Sequence, residues 1–234
     1  MKSPVRENRT QGSVQGTPGN RRSYCDGRLM GMLVNDTEVI YQIGLPEEYR
    51  SSAAQLYDDA FGAKFSVAIR DEEKRISLFE KGFKLDYAIV AISDNKLIGI
   101  AGLHTTTGSL TGGITYGGLV SLLGFIEGNW AALIFSLYER KPTSGELVMD
   151  GIAVHHDFRG KGVGSRLLDE VARYGEEHEF IRVRLDVIDI NPRARKLYER
   201  KGFKVARTER FPYLRWLLGF GSSTTMELNL ENMA

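Results

Sequence analysis

Apolar positions change their period several times along the chain, and each change marks an element. Residues 36–43, DTEVIYQI, are rich in β-branched and aromatic residues and predict a strand. Pro46 suits the first turn of a helix, and Glu47 and Glu48 suit its positive end. Tyr49, Ala53, Leu56, Tyr57 and Ala60 then recur at helical spacing. Residues 71–82 predict a second helix, with Ile76 and Phe79 inward. The runs YAIVAI (87–92) and KLIGIAGL (96–103), split by Ser93-Asp94-Asn95, predict a hairpin. ELVMDGIAV (146–154) predicts a strand, followed by a helix over about 162–178 with Val163, Leu167, Val171 and Ala172 as its apolar stripe. IRVRLDVID (181–189) alternates and predicts another strand. Asn191-Pro192 reads as an N-cap and first-turn proline of a helix that Gly202 ends. Residues 203–208 and 224–230 close the sheet. A single α/β domain from about residue 34 to 234 accommodates these elements, with no internal repeat.

Two stretches break the pattern. Residues 1–33 are expected to be a disordered extension. Residues 1–28 lack any apolar period and carry six basic and two acidic groups, a net +4 against −3 for the remainder. A basic arm touching RNA or lipid is the alternative. Residues 104–145 form an inserted segment whose part 119–138, LVSLLGFIEGNWAALIFSLY, carries one charge, Glu127. Twenty such residues are long enough to span a bilayer. The polar centre Glu127-Gly128-Asn129 opposes that, so two helical pieces packed on the domain are expected, and no membrane span. A membrane-surface or homodimer contact is the alternative for this segment. The later run FPYLRWLLGF (211–220) is as aromatic. The two stretches are expected to meet and either wall an apolar acceptor pocket or bury each other at a dimer contact.

Composition narrows the functional classes. The 234 residues carry 31 Lys plus Arg and 30 Asp plus Glu, a balance unlike that of a strongly basic nucleic-acid binder. The single cysteine, Cys25, excludes an internal disulfide framework and a cysteine-rich zinc site. No signal-peptide stretch is visible near the start, so the default expectation is a cytoplasmic protein.

The candidate chemistry lies in ELVMDGIAVHHDFRGKGVGSRLLDEV. A strand leads to a loop with Gly160, Gly162 and Gly164 and then to a helix. Glycines at alternate positions let the backbone approach a ligand and turn its amides one way. The helix start adds partial positive charge, and Arg159 and Lys161 can pair with phosphate oxygens. The pattern of a mononucleotide P-loop is absent, and the spacing misses the dinucleotide fingerprint. A glycine-rich turn without a ligand remains an alternative for the loop taken alone.

The run Arg159-Gly160-Lys161-Gly162-Val163-Gly164 resembles the pyrophosphate loop of the GNAT acyl-CoA N-acyltransferase superfamily. IAV (152–154) before it resembles the end of that family's central strand, and LDVIDINPRARKLYERKGF (185–203) resembles its next strand and helix. The resemblance covers residues 146–205, with a weaker fit over about 36–103. It implies a mixed, mostly antiparallel sheet with flanking helices and a splayed central strand pair. It implies acetyl-CoA as co-substrate, with main-chain groups of Ile152, Ala153 and Val154 pairing with the pantetheine. The amides of Gly160, Lys161, Gly162, Val163, Gly164 and Ser165 would hold the pyrophosphate. Asn191 and Arg195 stand where the family contacts the cofactor, and Tyr198 matches its frequent general acid. The family acetylates aminoglycosides, polyamines, amino acids, protein N-termini and lysines, and the inserted segment weakens any choice among them by analogy.

An acceptor ammonium must lose a proton before it attacks a thioester. Glu146 lies at a spacing from Arg159 that resembles histone-acetylating members, and Asp150 shares its strand face if no bulge intervenes. Either could act as base directly or through water, or a water chain could replace both. His155 and His156 are expected to be solvent-exposed loop residues, and no His/Asp/Glu spacing argues for a metal. The expectation is therefore an N-acetyltransferase acting on an amine acceptor. A non-catalytic acyl-CoA sensor or a membrane-docked scaffold is the other class; Tyr198 and Glu146 favour the enzyme.

Overall fold

Residues 30–34 and 37–231 are described by the structure, a computed structural model. The basic stretch before residue 30, with Cys25, lies outside the described residues. Among those described, nine strands form one mixed sheet in the order β1-β2-β3-β4-β6-β7-β9-β8, with β5 paired to β4. The strands are β1 (Met30–Val34), β2 (Thr37–Ile43), β3 (Ala88–Ser93), β4 (Lys96–Thr105), β5 (Gly108–Ser109), β6 (Glu146–Val154), β7 (Arg182–Ile188), β8 (Lys204–Arg210) and β9 (Ser222–Asn229). β1 pairs antiparallel with β2, so the sheet starts within the stretch expected to be extension. The β3–β4 hairpin turns through Asp94 and Asn95, both at positive φ (49° and 57°), the requirement of a tight two-residue turn.

The helices are α1 (Arg50–Phe65), α2 (Glu72–Gly82), α3 (Tyr116–Leu123), α4 (Phe125–Tyr138), α5 (Val163–Glu177), α6 (Pro192–Arg200) and the single turn α7 (Arg215–Leu218). α5 packs on one side of the sheet. Leu167, Leu168 and Val171 join Leu103, Leu147, Met149, Val183 and Leu185 in the larger core cluster. α1 and α2 belong to a second cluster, in which Ala53, Leu56, Tyr57, Phe79 and Phe83 meet Val90, Ile100 and Ala153.

A buried ion pair fixes α1 against α2. Arg75 donates from Nε and Nη2 to the two Asp58 carboxylate oxygens at 2.8 and 2.9 Å. Its Nη1 also donates to the carbonyls of Ile69 and Arg70 in the connection between the helices. A bidentate guanidinium thus closes the turn and ties two helices with one side chain.

The inserted run folds back on itself instead of forming one long helix. Gly124 at φ +84° ends α3 and starts α4. A Cβ on Gly128 would lie 2.8 Å from the Val120 Cα, so only glycine lets the α4 backbone cross α3 this closely. Leu119, Leu123, Ala131 and Ile134 then bury against Ala68, Ile69 and Leu78. No helix among the described residues is long and apolar enough to cross a membrane. The outward face of α4 keeps Ile126, Trp130, Leu133 and Leu137 exposed at helical spacing. Trp216 of α7, 83% exposed, shares a groove with Ile126, Trp130 and the chain from Val67 to Lys74. The two aromatic stretches therefore meet on the outer surface.

Removing one member of the buried pair leaves the other charge unpaired. Asp58→Ala is expected to destabilise the domain by about 3–5 kcal/mol. The double change Asp58→Leu with Arg75→Met is expected to recover most of that loss. Chemical denaturation of both variants checks this, and equal losses would show that the pair is not the source.

Candidate functional site

The site begins with how β6 meets its two neighbours. On one side β6 runs antiparallel to β4, and the register slips by one residue between Leu103↔Met149 and Gly102↔Gly151. Asp150 is the extra residue, so a bulge does intervene on the strand face it was expected to share with Glu146. Gly102 makes space for it: a Cβ there would lie 3.3 Å from the Asp150 Cβ. On the other side β6 runs parallel to β7 from Glu146↔Arg182 only to Met149↔Leu185. Beyond Met149 the strands part, and β7 continues against β9. The β7-facing edge of Asp150–Val154, with Ile152, Ala153 and Val154, is left without a strand partner.

Glu146 and Asp150 are separated by this geometry. Glu146 is buried at the start of the parallel pair. Its carboxylate lies 2.7 Å from Arg184 Nη1 and 3.4 Å from Arg182 Nε, and accepts from the Thr143 amide. Asp150 lines a cavity of about 460 Å³. Its carboxylate stands 3.3 Å from His104 Nδ1 and accepts a 3.5 Å hydrogen bond from Thr111. His104 was not singled out from sequence, because a lone histidine on an apolar strand reads as packing. Pairing across the bulge, at His104↔Val148, is what brings it to Asp150.

The rest of the cavity wall comes from elements far apart in sequence. α1 supplies Tyr57, Lys64 and Phe65, α2 supplies Phe79, and the inserted helices supply Tyr116, Leu119, Ala132, Phe135 and Ser136. Phe65 stacks edge-on against both Phe79 and Phe135, with centroids 5.3 and 5.6 Å away. Arg140, at the rim, reaches Asp186 on the diverging half of β7 at 3.2 Å and Glu209 on β8 at 3.6 Å. The cavity rim therefore abuts the strand separation. Burial pushes the Lys64 ammonium below the usual lysine range. Among the described residues, none of the run 211–220 lines this wall, and Trp216 instead lines a separate outer groove with Ile126 and Trp130.

The glycine loop stands at the other end of the separation, at the N-terminus of α5. Gly160 and Gly162 have φ of +77° and +90°, and Gly162 is the N-cap. Positive φ is what requires glycine at these two positions; a Cβ at Gly160 would meet open space. At Gly164 a Cβ would make ordinary contacts with Val154 and Leu197. Val163 is fully buried, so only its backbone faces the loop, and Ser165 follows in the first turn. Arg159 donates to the Val154 carbonyl at 2.9 Å, and Lys161 lies over the Phe158 ring. Those contacts hold two cations beside the unpaired amides of a helix start, a setting suited to a polyanion.

α6 follows β7 at the same end. Asn191 caps it by accepting from the Ala194 amide, and Arg195 pairs with Glu199 along its exposed side. Tyr198, 6% exposed, shares the core cluster with Val163 and Val187, and burial pushes its phenol up to about 12. His155, His156 and Asp157 form one exposed cluster whose ligand-type atoms lie within 4.8 Å. Adjacency in sequence, not the fold, brings those three together.

Comparison with known proteins points one way. The sequence model of the acetyltransferase (GNAT) family matches residues 50–203. A Xenopus tropicalis protein named "Probable N-acetyltransferase camello" is 36% identical over 69 residues, a match that spans 30% of this chain and 32% of that protein. A crystal structure of an acetyltransferase superposes with a TM-score of 0.54 at 21% identity, over 81% of this chain and 98% of the other. A Salmonella typhimurium protein of the same fold, solved with its cofactor acetyl-CoA, gives 0.51 at 14% identity, over 83% and 95%.

The Tyr198 phenol gives a direct check on this end of the site. A folded-state value near 12, above the ordinary 10, means that the buried phenol stays neutral where an unfolded one ionises. Its contribution to stability is complete below pH 10 and is lost as pH rises toward 12. In an absorbance titration at the phenolate band, Tyr198→Phe is expected to remove a late-titrating component. Loss of a component near 10 would mean that the ring is open to water.

Proposed function

The chain belongs to the acetyltransferase (GNAT) family, and on that premise we propose that it transfers the acetyl group of acetyl-CoA to a primary amine by direct attack in a ternary complex. The observation that carries this reading is the parting of β6 from β7 between two prepared ends. One end holds the glycine loop on the α5 N-terminus, and the other holds Asp150 in a cavity.

The residues fit acetyl-CoA by chemistry. The edge of Ile152 to Val154 that faces away from β4 has no strand partner and offers main-chain groups to an extended, amide-bearing pantetheine, in the manner of an added strand, with Arg159 already held at the Val154 carbonyl. Amides from Gly160 to Ser165, with Arg159 and Lys161, suit the pyrophosphate. Asn191, the cap of α6, and Arg195 in its first turn are assigned to the cofactor on the family resemblance. Acetyl-CoA supplies an activated acyl group as a thioester.

Asp150 is assigned as the base. Its carboxylate faces the cavity, and His104 and Thr111 orient it. It accepts a proton from the acceptor ammonium, directly or through one water, and so frees the nitrogen lone pair for attack on the thioester carbonyl. Glu146 is assigned a structural part, because two arginines and a backbone amide already occupy its carboxylate. Tyr198 is assigned as the acid: its hydroxyl is a proton donor for the departing thiolate, and the burial that raises its pKa makes it a weaker acid than an exposed tyrosine. The C–S bond breaks as the C–N bond forms, the nitrogen's second proton passes to the Tyr198 phenolate, Asp150 releases its proton to water, and the products are the N-acetylated amine and free CoA.

Two substitutions test the two ends separately. Gly162→Glu forces a side chain into positive φ and places a like charge beside the pyrophosphate position. Calorimetry is expected to detect no acetyl-CoA binding to the folded variant, and unchanged affinity would end the reading. Asp150→Asn is expected to lower kcat by about 10²–10⁴-fold while leaving acetyl-CoA affinity unaltered. A kcat within a factor of about two of the parent would move the base role to another group or to water.

A further inference from the structure

The cavity wall holds an amine of the chain's own. Among the described residues that line it there is one lysine, Lys64, at the end of α1. Its Nζ lies over the ring of Phe65, 5.6 Å from the centroid, and Phe65 is part of the same wall. The negative face of the ring favours a cation in that place. Both parting strands also bear on this ammonium. The last pair of the β6–β7 ladder is Met149↔Leu185, so Asp150 and Asp186 are the first residues past it on either strand. Both carboxylates act electrostatically on Lys64, as does Arg140, which pairs with Asp186 at 3.2 Å. The lysine side chain therefore comes to the point where the strands part, the place that the acetyl-transfer reading gives to a thioester.

We propose that Lys64 is a site of self-acetylation: with acetyl-CoA bound and no acceptor in the cavity, the chain transfers the acetyl group to its own Lys64 Nζ. The inference rests on the acetyl-transfer reading above and adds a modification to that same site. Arg140 is no competing nucleophile, because a guanidinium stays protonated and has no lone pair to offer. Lys64 differs in this respect. Burial lowers the pKa of its ammonium, Asp186 opposes that, Arg140 adds to the lowering and Asp150 opposes it. The net lowering enlarges the share of neutral amine, the form that attacks a carbonyl. The ammonium gives one proton to Asp150, which passes it to water. The Nζ lone pair attacks the thioester carbonyl carbon, the C–N bond forms and the C–S bond breaks. Tyr198 protonates the departing thiolate and regains a proton from the nitrogen. The products are Nε-acetylated Lys64, free CoA and a proton. The amide carries no charge and adds an acetyl group to the cavity wall, so the modified chain leaves an acceptor less room.

The test incubates the full chain with acetyl-CoA and no added amine. Released CoA is measured by chromatography, the modified lysine is located by mass-spectrometric peptide mapping, and acetyl-CoA affinity is measured separately by calorimetry. A stoichiometric release of CoA is expected, with the acetyl mass on Lys64 and a rate per chain that does not change with protein concentration. Lys64 is expected to react at least about tenfold faster than the exposed Lys141, because its amine is held beside the thioester. Lys64→Arg, shown to be folded by its melting curve, is expected to release no such equivalent, and Gly162→Glu is expected to lose the modification together with acetyl-CoA binding. Bound acetyl-CoA with Lys64 unmodified overturns this inference and leaves the acetyl-transfer reading standing. So does a Lys64 rate no faster than that of Lys141, or one unchanged in Gly162→Glu, since either means chemical acetylation from solution. Failure of the parent chain to bind acetyl-CoA overturns the acetyl-transfer reading itself.

Discussion

Four residues of parallel pairing between β6 and β7, and then none, set the position of the other parts of the site. Glu146 anchors that short ladder at its start. Buried between Arg182 and Arg184 of the neighbouring strand, it clamps the two strands where they must stay together. One step past the ladder, the bulge at Asp150 adds a residue to β6 against β4 and increases the local twist. The two strands then diverge, and each feeds a helix, α5 or α6. Ligands of open α/β sheets bind at the carboxyl ends of strands for this reason: the separation opens a cleft, and helix N-termini bring partial positive charge to its mouth.

The same bulge gives the site its second side. It leaves Asp150 in the cavity near Thr111, while a Cβ on the next residue, Gly151, would lie 2.6 Å from the Phe61 ring of α1. α1 can therefore lie close over β6, and its Tyr57 and Phe65 become cavity wall. The Asp58–Arg75 pair holds α2 to α1, which brings Phe79 to the same wall. α3 and α4 close over it by burying Leu119, Ala131 and Ile134 on this platform. Positive charge thus collects at the α5 end of the strand separation, and a carboxylate meets aromatic carbon at the other end. The outward stripe of α4 and the nearby Trp216 lie on the opposite face of the insertion from these cavity residues.

Local signals in the chain determined much of the scaffold. Asn191-Pro192 caps α6 because the asparagine oxygen reaches an amide three residues on, a contact that needs no other element. The Asp94-Asn95 turn, the α5 stripe and the glycines at 160 and 162 are readable for the same reason: neighbouring residues impose the backbone angle or periodicity. The polar centre and glycines of 119–138 already opposed one continuous helix, and Gly124 is where the break falls. Tertiary structure decided what depends on pairing between distant segments. The bulge at Asp150 exists only in register with Gly102, and His104 becomes a neighbour of Asp150 only through that register. Glu146 and Asp150 look equivalent four residues apart on a strand. Two arginines from β7 occupy the first, and a cavity built from α1, α2 and the insertion exposes the second, because burial and pairing are set by what crosses a strand and not by the strand itself.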